Sequence, residues 1–204
     1  MKERPILFNG SMVLAILEGL KTQTRRPMKR PAGLSDSDFS DLVAWMMRTG
    51  SCNVDVAGPA DGRQRVVRCP FGKAGDRLWV REAHFIEGTH RGSHDKPNHL
   101  RWGAYWGFSG TVSPDGMRIA YHRVGWDCHD SDVRWRPSIH MPRWASRISL
   151  EVTRVRLQRL HDITEEDAAA EGFKSRQAFL DGWAGIYGPD NELVWVGDFA
   201  RVTP

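Results

Sequence analysis

Cysteine is scarce in this chain of 204 residues: Cys52, Cys69 and Cys128 are the only three. An odd number without close spacing argues against a disulfide framework. It also leaves no Cys-x-x-Cys pair for a structural zinc site; the nearest group is Cys128-His129 with His122. No metal and no cofactor is therefore expected. The chain has no run of about 18 apolar residues, so no transmembrane helix is expected. Met1 to Asn9 has no apolar signal-peptide core, and the expectation is a cytoplasmic protein. No internal repeat or low-complexity tract appears.

Acidic residues are absent from Lys21 to Arg30, while Lys21, Arg25, Arg26, Lys29 and Arg30 all fall there. Such clustering is the footprint of a phosphate-bearing partner, and equally of a solvated basic face. Nine tryptophans are present, against a formal charge of only +4. Tryptophan stacks on nucleobases, worth about 1–3 kcal/mol per base, but most of the nine are expected to serve packing. The hydrophobic fraction of 40% suffices for a core, and the length suits one domain with insertions.

Periodicity sets the element order. Pro5 to Phe8 reads as an opening strand. Met12, Val13, Ile16, Leu17 and Leu20 recur at helical spacing over residues 11 to 20, with Asn9 or Ser11 as cap. Pro27 and Pro31 forbid a continuing helix. Asp38 to Thr49 reads as a helix with Phe39, Leu42, Val43 and Met46 inward, Ser51 to Gly62 as loop, and Gln64 to Val67 as a strand. Arg77 to Phe85 reads as one strand, with Leu78, Val80 and Glu82 on one face and Trp79, Arg81 and Ala83 on the other. A carboxylate among apolar residues is costly unless paired, which marks Glu82. Residues 87 to 117 read as an insertion or long loop, then Met117 to Val124 as a strand containing Tyr121 and His122. Ile148 to Leu160 alternates as one long strand or a bent pair. Thr164 caps a short helix ending before Gly172, its first-turn acids suiting the positive end of the dipole. A second helix over 175 to 187 turns Phe179, Leu180, Trp183 and Ile186 inward, and Leu193 to Val202 closes as a strand. Short strands with few helices suggest an α+β fold, a small β-barrel with helices at its rim.

Chemistry concentrates at Lys21 and Thr24, with Glu82 at a distance in sequence. A threonine hydroxyl needs a base to become a nucleophile. Lysine serves only if its pKa falls from about 10.4 toward 7–8, which burial and the neighbouring Arg25 and Arg26 favour. Alternatively Glu82 carries the proton and Lys21 stabilises an oxyanion. In an extended strand, Lys21 and Thr24 point to opposite faces, so they converge only if the chain turns between them.

Gly19, Lys21, Thr22, Thr24 and Arg26, followed by Gly75, Asp76, Leu78, Trp79, Val80 and Glu82, resemble the ASCH family of the PUA-like barrel superfamily. The stretch Trp135-Arg136-Pro137-Ser138-Ile139-His140-Met141-Pro142-Arg143-Trp144-Ala145 resembles its larger phage- and prophage-encoded branch. The resemblance covers about three quarters of the chain, read as a single domain, 1 to 204; the insertions at about 32–62 and 87–117 lie outside it. It implies RNA or modified-nucleotide handling. Small bacterial members are amidohydrolases that deacetylate N4-acetylcytidine with a lysine, a threonine and a glutamate. By position this implies Thr24 as nucleophile, Lys21 as base or activator and Glu82 as proton carrier, with Arg26 holding substrate. Thr22, Trp79, Arg136, His140, Arg143 and Trp144 are the further candidates for substrate contact. Two other readings remain: a non-catalytic reader of RNA, single-stranded or modified nucleic acid, and a phage accessory protein without site chemistry.

Overall fold

Ten strands and four helices form among the described residues, 1–57, 64–88, 110–125, 135–188 and 193–202 of a computed structural model. The strands are β1 (Glu3–Leu7), β2 (Gln23–Pro27), β3 (Asn53–Ala57), β4 (Gln64–Arg68), β5 (Arg77–Arg81), β6 (His84–Gly88), β7 (Thr111–Val112), β8 (Arg118–His122), β9 (Ser149–Arg159) and β10 (Leu193–Val202). The helices are α1 (Gly10–Leu17), α2 (Asp36–Thr49), α3 (Glu165–Ala170) and α4 (Arg176–Tyr187). The fold is α+β. A five-stranded sheet has the order β1-β5-β9-β10-β2, and among the described residues no pairing of β1 with β2 closes it into a barrel. The chain divides into two units, Met1–Arg4, Glu18–Leu78 and Leu150–Arg201 against Pro5–Leu17, Trp79–Ser149 and Val202–Pro204.

In the first unit, β2 and β10 pair antiparallel, with Arg25 opposite Val196 and Thr24 opposite Gly197. Val194 and Val196 join Leu160, Ile163, Ala168, Phe179 and Trp183 in one core cluster beneath α3 and α4. Helix α3 starts on a capping box: Thr164 accepts from the Asp167 N–H, and the Asp167 side chain reaches back to the Thr164 N–H. Tyr187 packs on this cluster, whereas Ile186 is 62% exposed. The expected inward position is thus displaced by one residue, because Phe179, Trp183 and Tyr187 follow a strict four-residue step along α4. Helix α2 has Ser35 as N-cap and Gly50 in the left-handed region as C-cap. Met46 is its buried residue, with Phe39, Leu42 and Val43 half-buried. Part of the stretch expected as loop is strand β3, which pairs with β4 as a two-stranded ribbon.

In the second unit, Asn9 caps α1, its side chain accepting from the Met12 N–H at 2.9 Å. This helix buries Val13 and Ile16 and ends at Leu17. Leu20, expected on the apolar stripe, lies beyond the helix and is 62% exposed, since Gly19 adopts a positive φ and ends the periodicity. The strand expected from Arg77 to Phe85 breaks at Glu82–Ala83: β5 belongs to the five-stranded sheet and β6 to a three-stranded sheet of order β6-β8-β7. Ala120, Met141 and Ala145 form a buried cluster, with Ile86 and Trp144 against it. The expected insertion at 87–117 contributes the end of β6, β7 and the turn before β8, while 89–109 lie outside the described residues.

Candidate functional site

Alternation along β2 sorts its side chains. Gln23 and Arg25 stand opposite Asp198 and Val196, on the face of Val194 and Val196 that α3 and α4 cover. Thr24 and Arg26 stand opposite Gly197 and Trp195, on the other face. The ladder extends one residue earlier, where the Thr22 carbonyl accepts from the Phe199 N–H at 2.9 Å. The Thr22 N–H donates to the Ala170 carbonyl at 2.8 Å, tying the start of β2 to the end of α3. That bond delivers the next residue of the helix end, Glu171, to Lys21.

Lys21 Nζ donates to Glu171 Oε2 at 2.6 Å and to the Glu171 carbonyl at 2.8 Å. Lys21 and Glu171 are each only 2% exposed. Burial pulls the Lys21 ammonium below its ordinary pKa; Glu171 opposes this, and Arg26 and Arg25 add to it. Arg25, 1% exposed, also binds Glu171, with Nη1 3.2 Å from Oε1. Its Nη2 lies 2.9 Å from Asp167 Oδ2, and its Nη1 donates to Gln23 Oε1. Arg156 continues the chain of charges, binding Asp198 at 2.6 Å and Asp167 at 3.3 Å. Three cations, Lys21, Arg25 and Arg156, therefore face three carboxylates, Glu171, Asp167 and Asp198. Burial raises the Asp167 carboxyl, but Arg25, hydrogen bonds and Arg156 outweigh it and hold the group below its usual range.

Thr24 belongs to a different set of contacts. Its hydroxyl, in a residue 1% exposed, accepts from Arg26 Nη1 at 3.0 Å, and the same nitrogen donates to the Arg25 carbonyl at 2.8 Å. The chain is extended from Thr22 through Pro27, so no turn intervenes between Thr22 and Thr24. Lys21 shares Glu171 with Arg25, and Thr24 pairs with Arg26. Thr22 itself is exposed.

Glu82 lies in the second unit, 2% exposed, and is held by Arg147 in a two-point pair at 3.0 Å each. Arg147 Nη2 also donates to the Val124 carbonyl at 2.8 Å. The buried His84 and His122 stand opposite each other across β6 and β8. Burial lowers the pKa of both. Trp79 is 8% exposed, with the Arg81 guanidinium 4.6 Å and that of Arg143 5.9 Å from its ring centre. Both guanidiniums stand within cation–π reach of the ring. Arg136, His140 and Arg143 are exposed. Trp144 is half-buried, with Arg118 5.3 Å from its ring centre. Of the nine tryptophans, Trp102, Trp106 and Trp126 lie outside the described residues, as do Cys128 and His129. Among the described residues no three His, Cys, Asp or Glu side chains gather as a metal-holding group.

Glu171 is the residue the sequence reading did not single out. A signal was present: a glutamate at the C-terminal end of a helix opposes the dipole, so it needs a cation to hold it there. No family model, no curated protein and no solved structure matches the chain.

Proposed function

We propose that the chain is an amidohydrolase acting on an acylated nucleoside of the N4-acetylcytidine type, with Lys21 and Glu171 as the proton-handling pair. The observation that supports this reading most is the buried contact of 2.6 Å between Lys21 Nζ and Glu171. Perturbed, buried ionisable pairs concentrate at functional sites, although structural ion networks share the trait. In this mechanism Glu171 takes the proton of an attacking water and returns it to the departing amine. The Lys21 ammonium faces the oxyanion that develops on the carbonyl. Thr24, paired with Arg26 on the opposite face of β2, takes no part in this chemical step. The ASCH resemblance gives the substrate class. The carboxylate role it implied for Glu82 passes to Glu171, the carboxylate that Lys21 engages.

Acetate release from N4-acetylcytidine tests the reading, with thermal unfolding run on every variant. Wild type and Thr24→Ala turn over; Lys21→Ala and Glu171→Gln do not. Loss of turnover in Glu82→Gln with retention in Glu171→Gln returns the carboxylate role to Glu82. A second reading, a reader of RNA or single-stranded nucleic acid, draws on the exposed Arg136, His140 and Arg143. Folded wild type that releases no acetate, but binds RNA with a steep salt dependence, replaces the hydrolase with the reader.

A further inference from the structure

Two of the three cysteines meet in space. The β3–β4 register places Asn53 opposite Arg68, and its continuation places Cys52 opposite Cys69. The Cys69 N–H donates to the Cys52 carbonyl at 3.1 Å, which carries the ribbon one pair beyond Asn53 and Arg68. Residues opposite each other in an antiparallel ladder have Cα atoms about 4.5–5.5 Å apart and send their side chains to the same face. A disulfide spans Cα separations of about 4.4–6.8 Å, so the backbone spacing of the ladder admits one. Both residues are free thiols.

The surroundings give this bond a use. β3 and β4 form a sheet of only two strands. Such ribbons are marginal by themselves. A bond between Cys52 and Cys69 closes the ribbon at the end where its strands enter and leave. Cys69 also sits behind the candidate site. Its sulfur accepts from the Phe71 N–H at 3.4 Å, and a Cβ on Gly197, the partner of Thr24, would lie 2.7 Å from the Phe71 ring.

We propose that Cys52 and Cys69 form a reversible intramolecular disulfide when the protein meets a low-molecular-weight disulfide such as oxidised glutathione. Cys52 is half-buried and Cys69 is 2% exposed, so Cys52 is the entry point. Its thiolate attacks one glutathione sulfur and releases the other glutathione as a thiolate. The Cys69 thiolate then attacks the Cys52 sulfur of the mixed disulfide and releases the second glutathione. The two cysteine protons end on the two glutathione thiols, and the two electrons lost by the protein reduce the glutathione disulfide. Burial raises both thiols, Cys69 to about 12, so the exchange is slow at neutral pH and quickens as pH rises.

The test is incubation of the folded wild-type chain with oxidised glutathione at mildly alkaline pH. An acid quench and non-reducing peptide mapping by mass spectrometry follow. The expected product is a peptide linking Cys52 to Cys69, with a urea midpoint above that of the reduced protein and a return to it on adding dithiothreitol. Cys128→Ser protein gives the same crosslink. Glutathione retained on Cys52 without closure overturns the proposal. So does Cys69 that remains alkylatable after unfolding, or a crosslink that uses Cys128 in preference.

Discussion

Replacing Glu171 by glutamine takes away the carboxylate shared by Lys21 and Arg25 while keeping the shape of the side chain. Lys21 is then left buried with its charge uncompensated. Removing one partner of a buried pair costs about 3–5 kcal/mol. An independent bound agrees. Lys21 can escape by losing its proton, and holding a lysine of ordinary pKa about 10.4 neutral at pH 7 costs about 4.6 kcal/mol, at roughly 1.36 kcal/mol per pH unit. The escape leaves a signature. The folded variant then binds one proton fewer than its unfolded chain, so stability rises with pH by about 1.4 kcal/mol per unit until the unfolded lysine titrates. Urea unfolding of wild type and Glu171→Gln at pH 7 and pH 9 measures this. The variant is expected to lose about 3–5 kcal/mol at pH 7 and to regain about 2.7 kcal/mol by pH 9, more than wild type gains. The double variant Lys21→Met with Glu171→Leu removes both charges and recovers most of the loss. A Glu171→Gln protein within about 1 kcal/mol of wild type at both pH values refutes the reasoning, because the pair would then carry no net coupling.

Two further outcomes follow from the structure. Gly197→Ala drives a methyl to 2.7 Å from the Phe71 ring, and about 1–3 kcal/mol of destabilisation is expected in urea melts, largely relieved by adding Phe71→Leu. His84 and His122 have folded-state pKa values below the ordinary 6.5, so below about pH 6.5 the unfolded chain takes up protons that the folded one does not. Stability therefore falls as pH drops from about 6.5 toward 5, and His122→Gln, followed by the same unfolding assay, shows a shallower fall.

Much of the element order was legible from periodicity alone. Helices α2, α3 and α4 and the cap at Thr164 were read from local pattern, whereas the caps at Ser35 and Ser175 emerged only in the structure. β9 and β10 were legible for the same reason, since alternation is a property of the strand itself. The break at Glu82–Ala83 was not, because residues on both sides keep strand chemistry and only the change of sheet partner separates β5 from β6. Leu20 and Ile186 misled because an apolar residue at helical spacing carries no mark of where the helix ends or turns its face.

The site divides along the same line. The sequence by itself determined that Lys21, Thr24 and Arg26 lie together on one short segment, and that an extended path there sends Lys21 and Thr24 apart. It offered Glu82 as a carboxylate to act with Lys21, without choosing between their roles. Which carboxylate was a tertiary matter, settled by one backbone bond between the Thr22 N–H and the Ala170 carbonyl. That bond brings the end of α3 against the start of β2 and sets Glu171 on Lys21, across 150 residues of chain. A glutamate at a helix end signals that some cation is needed, but which cation depends on packing that only the folded chain brings about.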